Sequence, residues 1–167
     1  MRPLSVLAIV AGAILQLGLA FLLIWQAVPA SSKPSAPAAR FDLRPVIRTA
    51  PAPCPSGQLA DSAGKQCYLL EPGMQSIRVN SAVAAQNPSS GQWSIRVELS
   101  GKDAAAFDEL TTRLYQAPAP RNQLAIVIDG KVVAAPNVMG PISGGSVEIS
   151  GSYTRDTANE LAGKLTG

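Results

Sequence analysis

The chain has 167 residues, a formal net charge of +3 and no histidine. That length holds one domain plus an appendage. The lack of histidine removes the usual general base and the commonest metal ligand, and two cysteines are too few soft ligands for a zinc site. The Lys and Arg residues are scattered, with no run or stripe, so the sequence offers no nucleic-acid surface and calls for no cofactor.

Leu4 to Val28 is apolar apart from Ser5, Gln16 and Gln26 and contains no ionisable residue. A helix crosses the hydrocarbon core with about 20 such residues, whereas the apolar region of a cleaved signal peptide runs to about 7–15. Residues 1–28 are therefore read as an uncleaved single-pass transmembrane helix, with Val28-Pro29-Ala30 as the competing cleavage site. Arg2 stands on the short side, and Lys33, Arg40, Arg44 and Arg48 on the other. Charge counting alone would keep the large domain inside, but large domains translocate largely regardless of charge. The cysteines favour an oxidising compartment, and the expected place of the C-terminal domain is extracytoplasmic.

Residues 29–40 read as a linker stiffened by Pro29, Pro34 and Pro37. Residues 41–91 form a lead-in. Phe41 to Ile47 suits an extended segment that Pro45 demotes to a sheet edge. Cys54 and Cys67 then bracket a turn-rich loop, PCPSGQLADSAGKQCY. Two reduced thiols are the alternative, but a pair downstream of an export-type segment is better explained as one disulfide, worth roughly 3 kcal/mol by loop closure. Tyr68-Leu69-Leu70 returns into the sheet, Ile77 to Ala85 alternates as a further strand, and Asn87 to Gly91 is a turn cluster.

Residues 92–167 carry the strongest patterns. Trp93, Ile95, Val97 and Leu99 alternate with Ser94, Arg96 and Glu98, as in a strand with one wet face. Ser100 and Asp103 suggest a capping-box start to a helix whose stripe is Phe107, Leu110 and Leu114. Asp129-Gly130 between two apolar runs is a strong hairpin signal. Ser146 to Ser150 reads as a third strand beside that hairpin, and Thr154 as the N-cap of a helix with Ala158, Leu161, Ala162 and Leu165 on its apolar face. The implied fold is α+β: an antiparallel sheet with two amphipathic helices on one face, ferredoxin-like or a close variant, behind the N-terminal helix.

With a two-residue turn, Leu124, Ile126, Val133 and Ala135 share one face of the hairpin, and Ala125, Val127, Val132 and Ala134 the other. Both faces are apolar, which is unusual for an antiparallel sheet wetted on one side. Either residues 41–85 cover the second face, or Ala125, Val127, Val132 and Ala134 form a shallow site for extended polypeptide, with strand addition at a free edge. Asp129 is explained by the turn. Gly144-Gly145 lacks the residues of a phosphate loop, and no base lies near Ser143, Ser146 or Ser150. No catalytic or metal site is assembled.

LAIVIDGKVVAAPNV, then PISGG, SVEISGSYT and NELAGKL, strongly resembles the head of the first extracytoplasmic domain of the SecD/SecDF protein-export family. WSIRVELS and AAAFDELTTRL resemble the strand and helix before that block, and FDLRPV and CYLLEPG resemble the lead-in of actinobacterial SecD proteins. The resemblance runs from Phe41 to Leu165. It implies an extracytoplasmic α+β head that contacts exported polypeptide or a Sec translocase component. Leu4 to Val28 lacks the ionisable residues of the family's proton path, so the expected protein is a non-enzymatic head on a tether. A structural protein of the envelope that kept the fold without a role in export is the alternative.

Overall fold

A computed structural model describes residues 37–167; the transmembrane reading of Leu4–Val28 and most of the linker lie outside the described residues. Among the described residues no helix is long and apolar enough to cross a membrane. The strands are β1 (Phe41–Pro51), β2 (Leu59–Ala60), β3 (Gln66–Leu70), β4 (Val79–Gln86), β5 (Trp93–Leu99), β6 (Leu124–Ile128), β7 (Lys131–Ala134) and β8 (Ser146–Tyr153). The helices are α1 (Gly101–Tyr115), between β5 and β6, and α2 (Arg155–Thr166), after β8.

The fold is α+β, as the patterns imply, but it has two antiparallel sheets where the sequence suggests one. The first has the order β2-β3-β1-β6-β7 and the second β4-β5-β8. The third strand of the central block therefore leaves the hairpin: β8 pairs with β5, Val147 opposite Val97 and Ile149 opposite Ile95. Both β5 and β8 alternate, with one apolar face each, and together they bury that face. A hairpin apolar on both sides would leave the polar side of β8, with Ser146 and Glu148, in contact with a core.

β1 is central rather than marginal. Its first half pairs with β6, from Phe41–Ile128 to Pro45–Leu124, and its second half with β3, from Val46–Leu70 to Pro51–Gln66. Pro45 is tolerated there because of what runs past it. The Pro45 carbonyl accepts from the Glu71 N–H at 2.9 Å, and Pro72-Gly73 then passes close against the Pro45 ring. The pairing resumes where Leu43 and Met74 bond each other in both directions, so the bonds on either side of the missing proline donor are made. The lead-in thus supplies the middle strand of one sheet and, as β4, an outer strand of the other.

The main core joins Phe41, Leu43, Ile95, Phe107, Ile126 and Ile149 with the buried stripes of both helices. The helices share this core with both sheets instead of lining one face of a single sheet, so the ferredoxin-like single-sheet arrangement does not hold. Leu110, Thr111 and Leu114 are buried on α1, and Ala158, Ala162 and Leu165 on α2. Thr154 caps α2 in a reciprocal capping box with Thr157. Ser100 precedes α1 as expected but caps no backbone group: its hydroxyl donates to Asp103 Oδ2 at 2.9 Å, and the same oxygen accepts the Arg78 N–H.

A smaller core holds Val46, Tyr68, Leu70, Ala125, Val127 and Val132. It exists because the five-stranded sheet curls on itself. Beyond β2, Asp61 forms a parallel bridge with Val132 of β7, and the Ser62 N–H donates to the Val132 carbonyl at 2.9 Å. The two ends of the sheet therefore meet, which removes an edge. Cys54 and Cys67 are joined by a disulfide that ties the loop after β1 to β3.

Candidate functional site

The hairpin face singled out by sequence is interior. Ala125, Val127 and Val132 are 0–1% exposed and pack on Val46, Tyr68 and Leu70 of β1 and β3. Ala134 does not join them. Val127 pairs with Val132, but Ile126 pairs with Ala134, so one extra residue is accommodated at Val133. That irregularity moves Ala134 to the main-core side and puts Ala135 against the smaller core. The two-residue Asp129-Gly130 turn forms, with φ of 48° and 79°. Asp129 also accepts the Arg40 N–H at 2.9 Å and returns its own N–H to the Arg40 carbonyl, a wholly structural role.

Exposed apolar surface lies one loop further on. Met139 is 81% and Ile142 38% exposed, in the connection from β7 to β8. They overhang a groove of about 400 Å³ whose floor is Phe107 of α1, Leu124 and Ile126 of β6 and Val147 of β8. The start of the connection extends the pairing with β6 past the end of β7: the Pro136 carbonyl accepts the Leu124 N–H at 3.0 Å and Asn137 bridges Gln123. Fixed bonds hold it at both ends of the exposed segment. Val138 N–H donates to the Asn122 carbonyl at 2.8 Å, and Ile142 N–H to the buried Thr111 hydroxyl at 3.0 Å. The Thr111 hydroxyl in turn donates a hydrogen bond to the Asp108 carbonyl at 3.1 Å. Met139 therefore stands on a short span between two anchors, with Gly140 beside it.

The groove's chemistry is apolar contact. Among the described residues, Glu148 is the only charged one that lines it. A flexible thioether and an aliphatic side chain over an apolar floor suit adaptable contact with varied side chains. The sequence signal for this site is the run Pro136 to Ile142, where Val138, Met139 and Ile142 sit between prolines and glycine without strand or helix periodicity. Apolar residues with no regular element to bury them are that signal.

Ionisable groups with displaced titration lie elsewhere. Backbone N–H groups of Gln66 and Lys65 hold the Asp61 carboxyl below its ordinary value. Burial pushes the Tyr68 and Tyr153 hydroxyls up. Glu160 and Lys164, paired through an ion-paired hydrogen bond of 2.6 Å on exposed α2, move each other down and up respectively. Among the described residues no cluster of three or more His, Cys, Asp or Glu is placed to hold a metal.

Comparison with known proteins agrees with this architecture. The family model for the SecDF P1 head subdomain matches residues 56–167. A protein translocase subunit SecD of Streptomyces coelicolor is 32% identical over 111 residues, covering 66% of this chain and 20% of its own length. The SecD subunit of Magnetococcus marinus is 52% identical over 42 residues, 25% of this chain and 8% of that protein. The chain thus spans about a fifth or less of these relatives. Two solved structures share the fold at a TM-score of 0.56 and 20% identity. One is SecDF in a super-membrane-facing form, where the match covers 77% of this chain and 18% of that one; the other is described as a membrane component SecDF that enhances protein export, with 78% and 63% covered. With the family model spanning β2 to the end of α2, the chain belongs to the SecDF P1 head family.

Proposed function

We propose that this chain is a membrane-tethered, extracytoplasmic SecD-type head that binds exported polypeptide, or a component of the Sec translocase, and performs no covalent chemistry. The carrying observation is the exposed Met139–Ile142 segment over its apolar groove. Similar proteins are translocase subunits, and one related structure is described as enhancing protein export. An export substrate outside the membrane is extended and unfolded, and it exposes apolar side chains that such a groove can take one or two at a time. The buried hairpin face, with Ala125, Val127 and Val132, supports the groove from beneath the sheet and stays out of contact.

The test is site-specific photocrosslinking in a secreting cell, with the probe at Met139 and, as a control, at the buried Val127. Precursor or a Sec component trapped at Met139 and absent at Val127 supports the reading. Capture of neither at Met139, under conditions where SecD itself crosslinks, overturns it.

A further inference from the structure

Sheet edges are templates for pairing, and folded proteins blunt them with charges, prolines, bulges or cover. Three of the four outer strands here are blunted in that way. β7 is closed by Asp61 and Ser62, β2 has two residues, and β8 carries Glu148 together with an irregularity between Ser150 and Tyr153. β4 is different. Its sequence, VNSAVAAQ, has no charge and no proline over eight residues, and its one irregularity lies at the start, between Val79 and Ser81.

The outward groups of β4 follow from its hairpin with β5. Asn87 N–H bonds the Gln92 carbonyl at 2.9 Å at the mouth of the turn. Counting back in steps of two, Ala85 and Val83 bond across to Ser94 and Arg96, and the N–H and C=O of Ala82 and Ala84 point away from β5. Among the described residues β4 is the end strand of its sheet, pairs with β5 alone, and these outward groups meet no backbone partner. The side chains of Ala82 and Ala84 pack on the main core, while Val83 is 53% exposed on the other face.

We propose that the free edge of β4 is a strand-addition site for an extended stretch of polypeptide, which would lie antiparallel or parallel along Ser81–Gln86. This rests on the reading that the domain binds unfolded chain, and it names a second contact, made through backbone hydrogen bonds rather than side chains. Such pairing depends little on sequence, and an edge without charge repels no client. The size of the contact decides against a second folded copy. Two edges of eight residues meet over about 27 Å by about 10 Å, roughly 270 Å² per partner. A stable interface between folded proteins takes about 800 Å² per partner. The edge suits a short, exchangeable occupant.

The experiment uses the full chain in detergent micelles and a synthetic fluorescein-labelled peptide rich in Thr, Val and Ser, without Pro. Residue-resolved amide hydrogen exchange and fluorescence anisotropy are read together. The proposal expects protection at Ala82 and Ala84 to rise when peptide is added, with Val83 and Ala85, already bonded to β5, unchanged. Ala84→Pro removes an outward N–H and leaves the β5 ladder intact, so it should weaken peptide binding about tenfold without lowering the Tm. Should that variant unfold, the exchange pattern of the unsubstituted chain still decides. Peptide binding with protection confined to Val138–Ile142 overturns the edge site and leaves the groove standing. Absence of any peptide binding removes both. Protection of Ala82 and Ala84 before peptide is added shows the edge already filled, by this chain or another copy, and overturns the proposal.

Discussion

The Ser62 N–H donates to the Val132 carbonyl at 2.9 Å, joining the chain beyond β2 to the strand at the opposite end of the same sheet. This contact turns an open sheet into a curled one and encloses the face of the hairpin that carries Val127 and Val132. A face that the hairpin would otherwise leave open becomes an interior, and the exposed Met139 and Ile142 lie instead in the β7–β8 connection.

Val127 and Val132 are 1% exposed and face each other across the β6–β7 ladder. Replacing Val127 by Ala removes buried methyl groups that the curled sheet cannot refill. The expected loss is about 2 kcal/mol, seen as a lower urea midpoint with an unchanged m-value. A neutral substitution would mean that the sheet opens in solution.

The disulfide closes a segment with a sequence separation of 13 and anchors β3 to the end of β1. Replacing both Cys54 and Cys67 by Ser should cost about 3 kcal/mol. Thermal melts of the oxidised chain and of the double variant measure this. Equal melting temperatures would show that β2 and β3 are held by their hydrogen bonds alone.

Gly73 has φ of +56°, and a Cβ there would meet the Leu43 carbonyl oxygen, lie 2.8 Å from Arg44 Cα and 2.9 Å from Pro45 Cδ. Backbone cannot rotate out of the way as a side chain does. Gly73→Ala should therefore cost more than about 2 kcal/mol, the left-handed conformation accounting for about 1–2 of it. Denaturant titration should show the loss, and amide exchange at Leu43 and Met74, which bond each other, should accelerate.

Asp61 supplies a pH dependence with a definite sign. Its folded-state carboxyl is held below the ordinary 3.8 by the N–H groups of Gln66 and Lys65. The stabilisation is complete above 3.8, where the carboxyl is ionised in both folded and unfolded chains. As pH falls below that value the unfolded chain binds the proton first, and stability drops until the folded carboxyl protonates too. Urea midpoints followed from about pH 5 to about pH 2 should fall less steeply in Asp61→Asn than in the parent. Parallel curves would sink the assignment.

Met139 is 81% exposed, so Met139→Ser should change folding stability by less than about 0.5 kcal/mol. Under the proposed function it should nevertheless weaken binding of an unfolded, apolar peptide several-fold, read by anisotropy. Stability and binding thus separate at this residue, as they do not at Val127.

Local chemistry made much of this molecule legible in the sequence. The alternation of Trp93 to Leu99, the stripe Phe107–Leu110–Leu114, the Thr154 cap, the Asp129-Gly130 turn and the Cys54–Cys67 pair are each written in a few neighbouring residues, because side-chain period and turn conformation are local properties. The motif order from Trp93 onward also carried the family. Pairing was not legible. That β8 joins β5 instead of the hairpin, that β1 runs through the middle of a sheet despite Pro45, and that Ser62 closes the curl all depend on residues far apart in the chain. The irregularity at Val133 then shows how little separates the two outcomes: a single extra residue in β7 exchanges Ala134 for Ala135 between the two cores. Strand period gave each residue one of two faces, and only the register of the folded sheet decided which of those faces was buried.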